Sequence, residues 1–172
     1  MNDEYKTNIE IERKYIIKMP DCSRLAAQQD YTNSDIVQIY LTSSSGETHR
    51  IRQRRYADAI EYYETRKIRI DSMSVTEIEG KISEERFAEL SSHIADGTKP
   101  VIKTRHTFLY KGKIFEIDVY PEWKSTAIME TELSDREECV EIPSFIEIIR
   151  EVTGEKVYSN AAMSRIFPTE IT

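Results

Sequence analysis

The feature that most constrains this chain is an alternation of charge with a period of two, repeated on one segment after another. In "NIEIERKYIIK", Asn8 to Lys18, the residues Glu10, Glu12 and Lys14 fall on every second position, with Ile9, Ile11, Tyr15 and Ile17 mostly between them. Successive side chains of a strand point to opposite faces, so this stretch reads as a strand with one charged and one largely apolar face. The same spacing puts Arg50, Arg52 and Arg54 on one face, Thr65, Lys67 and Arg69 on another, and Glu77 and Glu79 ahead of Lys81. Lys103 pairs with Arg105, Glu116 with Asp118, and Glu130 with Glu132. Residues i and i+2 of a strand stand roughly 6.5 Å apart on one side. Each pair therefore aims two like charges in one direction. A surface that needs only solubility would intersperse signs, because like charges side by side repel. These blocks call for a compensating ion or an opposing strand. Acidic blocks suit a divalent metal, basic blocks suit phosphate, and both together suit a metal–polyphosphate complex. A closed antiparallel barrel with a polar lumen would gather them in one place.

The remaining pattern agrees with a strand-rich chain. Strands are expected at about 8–18, 35–42, 48–56, 60–70, 75–82, 100–110, 113–121 and 127–134, with Lys111-Gly112-Lys113 as a hairpin turn. Asp21 is placed to cap a short helix, and Ser83, followed by Glu84 and Glu85, to cap a helix running to about Ala95. "SFIEIIREVT" reads as a helix capped by Ser144, and "SNAAMSRIF" as a last short helix, with Asn160 as a cap. Eight strands with a few helices imply an α+β class built on an antiparallel, closing sheet.

The totals narrow the function. The 172 residues suit one domain spanning 1–172. Charged residues make up 32%, above the typical ~25%, so some of the charge has a purpose beyond solubility. The net charge of -7 argues against nucleic-acid binding. Cys22 and Cys139 lie far apart in no metal-ligand spacing and read as reduced thiols. No apolar run approaches the ~18 residues of a membrane span, and "MNDEYKTN" is no signal peptide. A cytoplasmic protein that does not bind membranes is expected.

The residues resemble a known family. "EIERKY" matches the E-x-E-x-K signature of the CYTH superfamily, the triphosphate tunnel metalloenzymes. "QIYL" (38–41), "RIR" (50–52), "TRK" (65–67), "IKTR" (102–105), "FEIDVY" (115–120), "ETEL" (130–133), "EVTG" (151–154) and "YSN" (158–160) follow in the family's order. The resemblance runs from about residue 8 to 164. It implies an eight-stranded antiparallel tunnel that binds a linear triphosphate with Mg²⁺ or Mn²⁺. The activity implied is hydrolysis of the terminal phosphate, with inorganic tripolyphosphate first because no base-recognition site is evident. Thiamine or nucleoside triphosphate hydrolysis, a class IV-type adenylate cyclase and a non-catalytic polyphosphate binder are the alternatives. A homodimer is compatible with the pattern.

By this resemblance Glu10, Glu12 and Glu132 are the metal ligands, with Glu130 close behind. Lys14, Arg50, Arg52, Lys67, Lys103 and Arg105 hold phosphate oxygens, and Arg54 and Arg69 fall between lumen and rim. Tyr40 covers the tunnel mouth or packs as an ordinary aromatic. Lys14 and Lys67 are candidates for the chemistry itself. Glu79, Glu116 and Asp118 either serve a second metal and the attacking water or hold lumen cations straight, and Glu77 reads as structural. His49, His93 and His106 show no ligand spacing and read as ordinary surface or strand residues. Two positions depart from the family's pattern: Arg66 within "TRK", and Val157 before Tyr158. No histidine-rich helical domain follows, as expected of the stand-alone form.

Overall fold

The structure, a computed structural model, describes residues 5–171. The strands are β1 (Lys6–Lys18), β2 (Gln29–Leu41), β3 (Glu47–Arg55), β4 (Ile60–Arg69), β5 (Ser74–Ile82), β6 (Val101–Tyr110), β7 (Lys113–Val119), β8 (Thr126–Glu132) and β9 (Ile148–Glu151). The helices are α1 (Cys22–Ala26), α2 (Glu84–Ser91) and α3 (Asn160–Met163), with a 3₁₀ turn at Lys156–Tyr158. All ladders are antiparallel, in the order β5-β4-β3-β2-β6-β7-β8-β1, and β1 returns to pair with β5. Eight strands therefore form a closed barrel, with β9 as a ninth strand outside the ring. Closure is carried by the length of β1. Its first half, Lys6 to Ile11, pairs with β5, and its second half, Glu12 to Lys18, pairs with β8.

Alternation then decides which side chains enter the barrel. The outward set packs against two covers. Tyr15, Ile17, Phe108, Phe115, Ile117 and Met129 meet Leu25 of α1 and Ile146, while Leu41, Ile51 and Ile82 meet Leu90 of α2. The inward set divides along the barrel axis. Toward one end, Ile16, Tyr40, Val101, Tyr120 and Ile128 form an apolar floor closed by Tyr158 and Met163 of the C-terminal segment. Above that floor the inward residues are charged. Helix α2 starts as its sequence dictates: Ser83 accepts from the Arg86 amide at 3.2 Å, and Glu84 and Glu85 stand in the first turn.

Three local expectations need correction. The segment after Ser144 is not a helix. Ile148–Glu151 is β9, paired with Tyr15–Ile17 of β1, because the unpaired side of β1 beyond its β5 contact offers a ladder and the apolar run is too short to decide its own state. β2 begins six residues before the expected position 35, at Gln29. The cap of α3 is Ser159, accepting from the Ala162 amide at 3.2 Å, while Asn160 accepts a hydrogen bond from the Tyr120 hydroxyl at 2.9 Å.

Candidate active site

The order of strands around the barrel sorts the charged blocks into two sectors. β5, β1, β8 and β7 are consecutive neighbours and bring Glu77, Glu79, Glu10, Glu12, Glu130, Glu132, Glu116 and Asp118 to one side of the lumen. β6, β2, β3 and β4 complete the ring with Lys103, Arg105, Arg50, Arg52, Arg54, Lys67 and Arg69, β2 adding the neutral Gln38 and Tyr40. Lys14 is the cation within the acidic sector. The two sectors face one cavity of about 580 Å³, which every one of these residues lines except the fully buried Asp118. The acidic blocks thus meet the basic blocks across open space.

Several pairs are closed directly. Lys67 bonds Glu10 and lies 2.8 Å from Glu77. Arg52 donates to both oxygens of Glu79 at 3.1 Å, and the Thr65 hydroxyl donates to the same carboxylate at 2.6 Å. Lys14 stands 2.7 Å from Glu130 and 3.4 Å from Glu12. Arg105 is the hub of the far wall: it reaches Asp118 at 2.6 and 2.7 Å, Glu130 at 3.0 Å, and Glu116. Lys103 bonds Asp118 as well. Asp118 and Glu130 are therefore anchors that hold lumen cations in place. Burial works against both carboxylates, but Arg105 with Lys103 keeps Asp118 below its ordinary value, and Lys14 with Arg105 keeps Glu130 well below. Of the two roles open to Asp118, the geometry gives it the positioning of cations. Glu130, expected as a metal ligand, is engaged by two cations, Lys14 and Arg105.

The two buried lysines differ instructively. Burial lowers both. For Lys14, Glu130 and Glu12 outweigh burial and raise the amine above its ordinary value. For Lys103 the neighbouring Arg105 adds repulsion to burial, and Asp118 only partly offsets them, leaving the amine at about 8. Lys103 is thus the lumen cation closest to losing its proton near neutrality.

Other carboxylates are crowded by one another. Glu12 lies directly opposite Glu132 in the β1–β8 register. Among the described residues Glu132 has no cation within ion-pair distance. Burial, then Glu116, Glu77 and Glu12, raises its carboxyl. Glu10 is pushed up to about 6 by burial, against the pull of Lys67 and with the help of Glu12 and Glu77. Among the described residues no three Asp, Glu, His or Cys side chains stand together as a ready-made metal cage. Yet the donor set suits a hard divalent cation: carboxylate oxygens only, mutually repelling, beside a cavity wide enough for water or phosphate to fill the remaining positions. Glu10, Glu12 and Glu132 would hold such an ion.

The basic sector carries unsatisfied donors. The Nε groups of Arg50 and Arg52 are buried with no hydrogen-bond partner. Arg54 donates to Ser34 at 2.8 Å and stacks on Tyr56, and Arg69 donates to the Asp71 carbonyl at 3.0 Å. Both line the cavity, and neither has a carboxylate within ion-pair distance among the described residues. Buried donors of this kind call for an acceptor, whether protein, water or anion. Tyr40 lies on the floor of the lumen rather than over its mouth, 6% exposed and in contact with the apolar cluster.

Solved structures were compared with this geometry. The inorganic triphosphatase NE1496 superposes with a TM-score of 0.58 over 93% of this chain and 97% of its own, at 27% identity. The chain's structural neighbours are CYTH-type tunnel proteins, and it shares their closed antiparallel barrel. The PH1819 protein of Pyrococcus horikoshii, at 22% identity and a TM-score of 0.55 over 74% of this chain and 80% of its own, shares the tunnel fold. No protein-family model and no curated protein sequence matches the chain. In this closed barrel the predicted charged site residues come together in one lumen. Charge periodicity passed over Gln38, since a neutral residue leaves no mark in that pattern, although "QIYL" lies within the ordered series. His49, read as an ordinary surface or strand residue, lies on β3, buried outside the lumen and 2.7 Å from Glu64. His106 likewise is buried, 2.9 Å from the Tyr31 hydroxyl.

Proposed function

We propose that this chain is a divalent-metal-dependent triphosphatase that releases the terminal phosphate of a linear triphosphate, inorganic tripolyphosphate being the first substrate. The observation that carries this reading is the two-sector lumen, in which a row of guanidinium and ammonium groups faces carboxylates crowded against one another. A polyanion and a divalent cation together satisfy both sectors; either alone leaves one unsatisfied. The 27% identity to NE1496, described as an inorganic triphosphatase, supports the same choice.

Arg50, Arg52, Lys67, Lys14, Lys103 and Arg105 bind phosphoryl oxygens in this scheme. Arginines suit forked contacts and lysines act as point charges. The cations are already held in place by Glu79, Glu77, Asp118 and Glu130, so little reorganisation accompanies charge development on the transferred group. Bound by Glu10, Glu12 and Glu132, Mg²⁺ or Mn²⁺ would neutralise charge on the phosphoryl oxygens.

The test is phosphate release from tripolyphosphate, ATP and thiamine triphosphate, each with Mg²⁺ and with Mn²⁺. The expected result is metal-dependent turnover, fastest on tripolyphosphate. Absence of turnover on every substrate rejects the enzyme reading. Cyclic AMP and pyrophosphate from ATP would replace it with a cyclase.

A further inference from the structure

The cations of the β3–β4 wall form a row longer than a triphosphate. Arg54, Arg52 and Arg50 follow one another on the inward face of β3. Lys67, opposite Thr48, continues the row on β4, and Arg69 follows it. Arg54 stands opposite Glu61, so the row runs along β4 from Glu61 to Arg69, roughly 27 Å of strand. A linear triphosphate is about as long as three residues of strand, roughly 10 Å. With strands tilted by about 40° to the barrel axis, the row still outruns it about twofold. The cavity has room to match: its volume of about 580 Å³ is that of a pocket for a whole drug-sized molecule.

The row ends at an opening shared with the C-terminal segment. The turn that carries Lys156 lies against the end of β4, where a Cβ built at Gly154 would come within 2.9 Å of the Ser72 carbonyl oxygen. Arg69 and Lys156 are both exposed, and both line the same cavity as the buried cations. Among the described residues the Lys156 amine has no hydrogen bond or ion pair, and Arg69 donates to the Asp71 carbonyl alone. The carboxylates beside them are engaged elsewhere, Glu47 with Arg66 at 3.0 Å and Glu155 with Arg150 at 3.1 Å. Thr48, Ser72, Ser159 and Asn160 add polar groups to this end of the cavity. Among the described lining residues the only aromatic is Tyr40, buried on the floor, so the opening has no ring on which a base could stack. Unpaired cations with hydroxyl and amide neighbours suit further phosphate units.

We infer that this chain accepts linear polyphosphates longer than three units, the terminal phosphate lying among Arg50 and Arg52 and the rest of the chain running out between Arg69 and Lys156. This rests on the hydrolase reading above and widens the substrate class of the same site. The reaction is the same at every length. Water forms a new P–O bond to the terminal phosphorus as the bridging P–O bond breaks, and the electron pair leaves on the shortened chain. One water hydrogen stays on the released phosphate, and the other proton passes to solvent. Arg69 and Lys156 touch only the part of the chain that does not react, so they act on KM more than on kcat.

The experiment measures kcat and KM for phosphate release by the full chain, with Mg²⁺ in excess, from tripolyphosphate and from a linear polyphosphate long enough to pass Arg69. Wild type is compared with Arg69→Gln and Lys156→Gln, both at exposed positions where the fold tolerates change. The long chain should show a KM lower than that of tripolyphosphate by on the order of tenfold or more, the effect of one or two charge-assisted contacts. R69Q and K156Q should each raise the long-chain KM by on the order of tenfold and leave that of tripolyphosphate within about twofold. A long chain that is not hydrolysed, or whose KM is no lower than that of tripolyphosphate, overturns the inference. So does a long-chain KM unchanged in either variant. Turnover of tripolyphosphate alone rejects the inference and leaves the hydrolase reading standing, whereas turnover of neither substrate rejects both.

Discussion

Glu12 and Glu132 face each other across the β1–β8 ladder, two carboxylates in register at the point where the first and last barrel strands meet. Like charges directly opposite on a sheet destabilise it. Glu12→Gln and Glu132→Gln should therefore each raise the melting temperature slightly in metal-free buffer. Both should lose most triphosphatase activity, since each removes ligand charge at nearly constant shape. Mg²⁺ with tripolyphosphate should raise the wild-type melting temperature and do much less for either variant, by the linkage of binding to stability. Near-wild-type turnover in both variants would end the assignment of this pair to metal.

The second expected outcome concerns Lys103. Its amine titrates at about 8 in the folded chain, down from 10.5, because burial and Arg105 outweigh Asp118. Below the folded value both states carry the proton. Between the two values the unfolded chain binds more, so the contribution of Lys103 to stability rises with pH in that window. Activity moves the other way: kcat/KM for tripolyphosphate should fall above about pH 8, as the free enzyme loses a phosphate-binding charge. Lys103→Arg should remove that alkaline limb. An alkaline limb unchanged in K103R would assign it to another group.

The charged lumen was legible in the sequence because strand periodicity is a local property, and an entire set of like-charged faces fixes the inward side of most strands. The sorting into two sectors was not, since it depends on the order of strands around the ring. Lys103 and Asp118 come from different strands, and which carboxylate reaches which cation follows from register. Gln38 carries no charge and so left no trace in the pattern that exposed Lys14 or Arg52. The segment at Ile148–Glu151 failed for a related reason: its state is set by the open side of β1, a partner far away in sequence.

The far wall offers a sharper stability contrast. Asp118 is fully buried between Lys103 and Arg105, while Glu116 is an outer partner of Arg105 with its side chain 31% exposed. Asp118→Asn leaves two buried cations short of their anion, and breaking a buried pair in this way costs about 3–5 kcal/mol. Glu116→Gln should cost about 1 kcal/mol or less, as for an exposed pair. Denaturant unfolding of the two variants measures the difference directly. Equal, small losses would show that Asp118 is not the anchor of this wall.

Gly154 ties the C-terminal segment to the cavity rim. Its φ of +75° lies in the left-handed region, and a Cβ built there would come within 2.9 Å of the Ser72 carbonyl oxygen. The same turn is pinned to β1 on both sides of one residue: the Val152 amide donates to the Lys14 carbonyl at 2.8 Å, and the Lys14 amide donates to Thr153 Oγ1 at 3.1 Å. Gly154→Ala therefore brings a strained dihedral and a backbone collision at once, for a loss of about 1–3 kcal/mol. The turn can escape only by moving away from Ser72, which drags on Lys14, so KM for tripolyphosphate should rise as well. Adding Ser72→Ala to G154A should rescue neither property, because the obstructing atom is the main-chain oxygen that every residue at position 72 carries. Recovery of stability in the double variant would mean that the serine side chain, and not the backbone, sets the approach of this turn.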